Sequence, residues 1–161
     1  MNTPNKIIVH HSGGTDKNPL ADTSNQTAEI IRQYHKSLGW VDVGYHWLIE
    51  KSGKVCKGRD EKSTGAHCLG QNEQSIGICV IGNFDLTIPT EAQIVSLKTL
   101  LGDILSRYPS ITKDEIYPHR KFANKTCYGN KLSDTWASDL VVEESLVKIP
   151  RSLLVKLSKY L

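Results

Sequence analysis

The sequence predicts an α/β fold, a mixed central β-sheet with helices on both faces in a single domain. Three observations carry this. Short β-branched runs alternate with helical patterns along the chain. Two of the runs are joined by a tight turn and pair as a hairpin, so the sheet cannot be purely parallel. The length, 161 residues, is that of one domain.

The elements follow in order. Lys6-Ile7-Ile8-Val9-His10 is short, β-branched and stopped by Ser12-Gly13-Gly14, the pattern of a buried strand. A polar loop covers residues 13–25. Over residues 27–38, Ala28, Ile30, Ile31, Tyr34, His35 and Leu38 recur at helical spacing, with Thr27 placed as N-cap and Gly39 as C′ glycine. Residues 45–50 read as a strand, with Tyr45, Trp47 and Ile49 on one face and His46, Leu48 and Glu50 on the other. Ser52-Gly53 turns the chain, and Val55-Cys56 returns as its partner. Residues 76–81 (IGICVI) are almost wholly apolar, as a strand covered on both faces should be. Thr90-Glu91-Ala92-Gln93 is a capping box opening a helix with Ile94, Leu97, Leu100, Leu101, Ile104 and Leu105 on one stripe. Ile116-Tyr117-Pro118 is a short extended stretch leading into His119, and residues 151–161 predict a C-terminal helix.

Composition narrows the function classes. Apolar residues make up 39% of the chain, enough for one core. Twenty Lys and Arg against seventeen Asp and Glu leave a net charge of +3, too mild to argue for nucleic acid. No apolar run approaches the ~18–20 residues of a membrane span, and Met1 to Lys6 is followed by no signal-peptide core. The expectation is synthesis in a reducing cytosol, with the four cysteines as thiols or metal ligands rather than disulfides. Nothing in the composition indicates an oligomer.

The six His and four Cys are the informative set. His10-His11, His119 and Cys127 fall where strands run out into loops. A catalytic metal site of the zinc type needs three protein donors and one open position, and mixtures of imidazole and thiolate serve. His119 and Cys127 stand eight residues apart, enough chain for a loop to return both donors to one ion. His10 and His11 are strand neighbours and point to opposite faces, and local pattern leaves open which of them faces a site.

Four blocks, IIVHHSGG, LGWVDVGYHWLIEKSGKVCKGRDE, STGAHCLGQNEQSIGICVIGNF and HRKFANKTC, together resemble the zinc-dependent N-acetylmuramoyl-L-alanine amidases, phage endolysins among them. The peptidoglycan recognition proteins share that fold. The resemblance runs over residues 6–127, in the same order and with similar gaps, and leaves 131–161 as a C-terminal extension of a single amidase domain. It implies one catalytic Zn²⁺ on His10, His119 and Cys127. It implies catalytic roles for Tyr45, in the Gly-Tyr-His block, and for Lys125, two residues before the ligand cysteine. The implied reaction is hydrolysis of the amide between N-acetylmuramic acid and L-alanine in bacterial peptidoglycan. For an endolysin, that means synthesis in the host cytoplasm and action on the wall at lysis. The family often places Pro directly after the ligand cysteine, where this chain has Tyr128.

Plainer readings stand beside these. His119 could be a loop histidine beside Arg120 and Lys121, and Cys127 a buried apolar thiol. His67, in Gly-Ala-His-Cys, is a candidate substrate-groove residue with a structural role equally open. Cys56, Cys68 and Cys79 read as packing residues, and His35 and His46 as structural. From Leu146 onward the tail carries Lys148, Arg151, Lys156 and Lys159 beside Leu153, Leu154, Leu157 and Leu161, with no acidic residue. The favoured expectation is a helix docked on the domain, and the sharper one is a helix contacting anionic bacterial surfaces. Two rival functions remain: a metal-free hydrolase using Cys127 as nucleophile, and a module that binds peptidoglycan without cutting it.

Overall fold

The computed structural model of the protein describes residues 1–142. The helix expected over 151–161, and the tail around it, lie outside these residues. Among the described residues no helix is long and apolar enough to cross a membrane.

Five strands form one sheet: β1 (Lys6–His11), β2 (Trp47–Ile49), β3 (Val55–Lys57), β4 (Ser75–Val80) and β5 (Ile116–Pro118). Their order is β3-β2-β4-β1-β5. β1 runs parallel to both β4 and β5, β2 runs parallel to β4, and only the β2–β3 hairpin is antiparallel. The mixed sheet is therefore as the sequence predicts. β4 is buried along its whole length, which is why its sequence shows no alternation.

Helices cover both faces. α1 (Ala28–Ser37) packs Ala28 and Ile31 against Val43, Leu48, Cys79 and Ile81. α2 (Glu91–Arg107) packs Leu97, Leu100, Leu101 and Ile104 against Ile7, Val9, Ile49, Ile76, Ile78 and Val80. Fully burying such a side chain contributes about 1.5–3 kcal/mol, so the α2 face holds the larger share of the core. The Thr90 capping box forms, with the Gln93 N–H donating to Thr90 Oγ1 at 3.1 Å and the Thr90 N–H to Gln93 Oε1 at 3.0 Å. A short α3 (Trp136–Asp139) packs beside β5.

Two readings need correction. Ile30, Tyr34 and Leu38 are about half exposed (51%, 48% and 51%), so the apolar spacing of α1 is wider than its buried stripe. The helix meets the sheet through the 28-31-35 row, and the other apolar residues look outward. The alternation assigned to residues 45–50 also breaks. Tyr45 packs with Leu48 and Cys79 on the α1 face, whereas Trp47 and Ile49 belong to the α2 face. The ladder begins only at Trp47, and alternation holds only inside a ladder.

One buried carboxylate ties the base of the fold together. Glu61 accepts from both Nη atoms of Arg107 (2.6 and 2.9 Å), from Trp47 Nε1 (2.7 Å) and from the Tyr108 hydroxyl (2.9 Å). Burial alone would raise its pKa, but the bonds from Arg107, Trp47 and Tyr108 outweigh it and hold the carboxyl below its ordinary value. A group with a depressed folded pKa stabilises above its unfolded value, about 4.3, and loses that contribution as pH falls through the folded value. Glu61→Gln should cost about 1–3 kcal/mol at neutral pH. Urea unfolding from pH 7 to pH 3 tests this: the difference between wild type and variant should shrink with acid, and equal midpoints at pH 7 would refute it.

Candidate active site

Parallel pairing places the ends of β1, β4 and β5 at one edge of the sheet, where ligands bind in open α/β folds. His10 lies near the end of β1, in register with Cys79 of β4, so its side chain shares the α1 face with Cys79 and Leu48. His119 follows Pro118, the last residue of β5, and opens a single 3₁₀ turn. Cys127 returns on the loop after that turn. The donor atoms of His10, His119 and Cys127 all lie within 4.8 Å of one another, and all three residues are buried. The alternative left open in the sequence is thereby decided: His10 joins the cluster. His11 turns to the other face, where its Nδ1 accepts from the Phe84 N–H at 3.0 Å.

The protonation of His10 follows from a chain of hydrogen bonds. The Ser75 hydroxyl donates to the Gln71 carbonyl at 2.7 Å, so its oxygen is left to accept from His67 Nε2 at 3.3 Å. His67 Nδ1 is then an acceptor, and the 2.9 Å bond to His10 Nε2 carries the His10 proton. That leaves His10 Nδ1 as a bare lone pair, the form a metal ligand requires. His67 lies flat over Gly77, where a Cβ would come within 2.5 Å of its ring, so β4 needs glycine there. His67 therefore lines the cleft and is also the partner that orients His10. No spacing rule could have signalled a bond between residues fifty-seven positions apart.

Cys127 is held by the strand it approaches. β5 stops at the Val9–Pro118 pair, and the His11 N–H beyond it donates to Cys127 Sγ at 3.4 Å. On the other side of the loop, Asp85 accepts from the Thr126 hydroxyl and from the Asn130 N–H, each at 2.7 Å. Neither Asp85 nor Arg120, which braces the same loop, was singled out in the sequence. Both act through backbone groups that residue type does not advertise.

The cluster forms the floor of a cleft of about 620 Å³ whose walls include Tyr45, Lys125, His67, Trp40 and Asp85. All six residues expected at the site thus come together. Tyr45 stands edge-on to His10, ring centroids 5.2 Å apart. Burial, reinforced by the nearby Cys79 and Cys127, pushes its hydroxyl well above the ordinary tyrosine value, so it is protonated at neutral pH. His35, which also lines the cleft, and His46 are both held by backbone bonds. His46 Nδ1 accepts from the Gly77 N–H and its Nε2 bonds the Ser63 carbonyl, both at 2.9 Å, while His35 Nδ1 accepts from the Gly44 N–H.

The donor set suits a divalent transition-metal ion. Bonds of about 2.0–2.3 Å in a tetrahedral site hold donors about 3.3–3.8 Å apart, a spacing compatible with three donors that lie within 4.8 Å of one another. Burial, and then the neighbouring His67, lowers the pKa of His10 far below its ordinary value. Burial and Lys125 bring His119 to about 4, so both imidazoles are neutral and ready to bind. Burial pushes the Cys127 thiol up to about 12. A thiol so placed needs an adjacent cation to ionise, and is a poor free nucleophile at neutral pH.

The sequence profile described as N-acetylmuramoyl-L-alanine amidase matches residues 1–130. The chain belongs to the N-acetylmuramoyl-L-alanine amidase family. Among curated relatives, the endolysin of Escherichia phage T7 is 39% identical over 142 residues, covering 84% of this chain and 87% of its own length. Peptidoglycan-recognition protein SC2 of Drosophila melanogaster is 34% identical over 134 residues, covering 81% and 73%. Among solved structures, the N-acetylmuramoyl-L-alanine amidase LysC of Clostridium intestinale superposes with a TM-score of 0.70 at 32% identity, over 81% of this chain and 79% of that one. The chain shares the fold of the Clostridium intestinale amidase.

Proposed function

We propose that His10, His119 and Cys127 hold one zinc ion, and that Tyr45 and Lys125 act beside it in a hydrolase. The enzyme cleaves the amide between N-acetylmuramic acid and L-alanine in bacterial peptidoglycan. The observation that carries this reading is the meeting of those three donor atoms within 4.8 Å on the floor of a cleft that Tyr45 and Lys125 also line. Zinc, when bound, lowers the pKa of water to roughly 7 and polarises a carbonyl, which is the chemistry amide hydrolysis needs at neutral pH.

The chain's own residues supply the rest. Tyr45 presents a protonated hydroxyl to the reacting group and serves as a hydrogen-bond donor there. Lys125 brings a cation to the cleft wall, where negative charge develops on the carbonyl oxygen. Groups so placed commonly contribute about 10²–10³ in rate. His67 keeps the His10 ring fixed and its Nδ1 free. The relatives support a role in lysis, with synthesis in the host cytoplasm and action on the wall after the membrane is breached. Of the two rivals, the cysteine hydrolase is disfavoured by the buried, neutral Cys127 thiol. The non-cutting module is disfavoured by the presence of the full donor set.

Purified walls incubated with the enzyme should gain new L-alanine amino termini and free lactyl carboxyls. EDTA should abolish their release and added zinc should restore it. Walls without new termini, or release untouched by chelation, would overturn the reading. Tyr45→Phe should bind metal as the wild type does and lose about 10²–10⁴ in turnover; full turnover in that variant removes Tyr45 from the chemistry. The contact of residues 146–161 with anionic surfaces rests on their sequence alone. A chain ending at Val147 should digest purified walls normally and kill intact cells less well, and undiminished killing would remove that contact.

A further inference from the structure

Arg120 stands next to His119 in sequence but does not line the active-site cleft. It lies behind the cleft wall and lines the pocket on the far side of the loop. Its guanidinium is spent almost wholly on the loop that carries Cys127. Nη1 donates to the carbonyls of Gly129 at 2.9 Å and Thr126 at 3.3 Å, and Nη2 donates to the carbonyl of Leu132 at 2.7 Å. The Arg120 backbone N–H donates to the Cys127 carbonyl itself at 2.7 Å. The guanidinium carbon also sits 5.3 Å above the ring of Tyr128, the residue after Cys127.

The remaining contact is an ion pair, Nε to Asp134 at 2.6 Å, yet the Asp134 side chain is 77% exposed. An ion pair so open to water contributes little. Charge-assisted bonds to carbonyls beneath a partly covered guanidinium contribute more, and they are directed. The loop needs such direction. Its internal backbone bonds are two turns, Gly129 N–H to the Thr126 carbonyl and Leu132 N–H to the Gly129 carbonyl. Gly129 presses against the Phe84 backbone, where a Cβ would come within 2.5 Å, so the loop fits closely against the segment that follows β4.

We propose that Arg120 is a positioning residue for the metal site: its guanidinium holds the 126–132 loop in the shape that presents Cys127 Sγ to His10 and His119. The inference rests on the reading of those three residues as zinc ligands. A lysine keeps the charge but offers its donors from a single nitrogen, and cannot reach three carbonyls spread over seven residues.

Zinc affinity, measured by competition with a chromophoric chelator on the purified full chain, tests this without reference to turnover. Arg120→Lys should weaken zinc binding about 10–100-fold, the range for lost partners of metal ligands. The control is Arg107→Lys, which breaks a fork to a buried carboxylate at the other end of the molecule and should leave zinc affinity at the wild-type value. Circular dichroism of the metal-free proteins establishes that each variant is folded. If Arg120→Lys does not fold, Arg120→Gln, which keeps a single amide donor, takes its place with the same expected loss. Wild-type affinity in a folded Arg120 variant overturns the inference. So does an equal loss in Arg107→Lys, which would trace the effect to general stability. A wild-type protein that binds no zinc overturns the zinc reading together with this one.

Discussion

β1 is the central constraint on the site. It is flanked on both sides by parallel strands, so the ends of three strands reach the same edge of the sheet and their exits face one another. A histidine near the end of the central strand is then within reach of a histidine just beyond β5. It is also within reach of any loop that folds back over the stub that β5 leaves. The shortness of β5 matters as much as its direction. Because it stops at Pro118, the next outward N–H of β1, that of His11, is free to receive Cys127 Sγ. An extra pair of β5 residues would take that donor into the ladder and displace the sulfur.

The electrostatics of the cleft follow from this burial. Two imidazoles and a thiol sit in surroundings that disfavour charge on all three, so these donors are neutral in the absence of a cation. The carboxylates lining the cleft are Asp16 and Asp85, and both are occupied. Asp16 accepts from the Tyr34 hydroxyl at 2.7 Å, and Asp85 holds the loop through Thr126 and Asn130. Neither is free to work as the carboxylate base that many metal hydrolases use. Other proton-bearing side chains on the cleft wall beside the donors include Tyr45, whose hydroxyl is hydrogen-bonded to Cys79, and Lys125, and the proposed chemistry is assigned to these two.

Much of this was legible in the sequence, for identifiable reasons. The capping box at Thr90, the apolar β4 run and the Ser52-Gly53 hairpin are local signals, and local physics decides them. The donor set was legible only because four distant blocks kept the order of a known family. Spacing alone left His10 and His11 equivalent. Three further features could not be read. The face of Tyr45 depends on where the β2 ladder begins, which is set by its pairing partners. The orientation of His10 depends on Ser75 and His67, brought to it by the crossover into β4. The bracing of Cys127 depends on Arg120 reaching carbonyls, which every residue possesses and no pattern marks.

Tyr128 shows how such unmarked contacts can replace a marked one. Where the family often has proline after the ligand cysteine, a ring would restrain the backbone locally, whatever surrounds it. Tyr128 supplies no such restraint through its own backbone. It is buried instead, its hydroxyl donating to the carbonyls of Ser133 and Asp134 at 2.8 and 2.9 Å, its ring edge-on to Trp136 and beneath Arg120. The order of the loop is therefore borrowed from the core that α2 and the sheet share, to which Tyr128, Cys127 and Leu132 all belong. A loop ordered in this way is only as firm as that core. In this chain, the placing of Cys127 depends on the packing of Tyr128 and Leu132 beside it, where a proline would have restrained the loop through its own backbone.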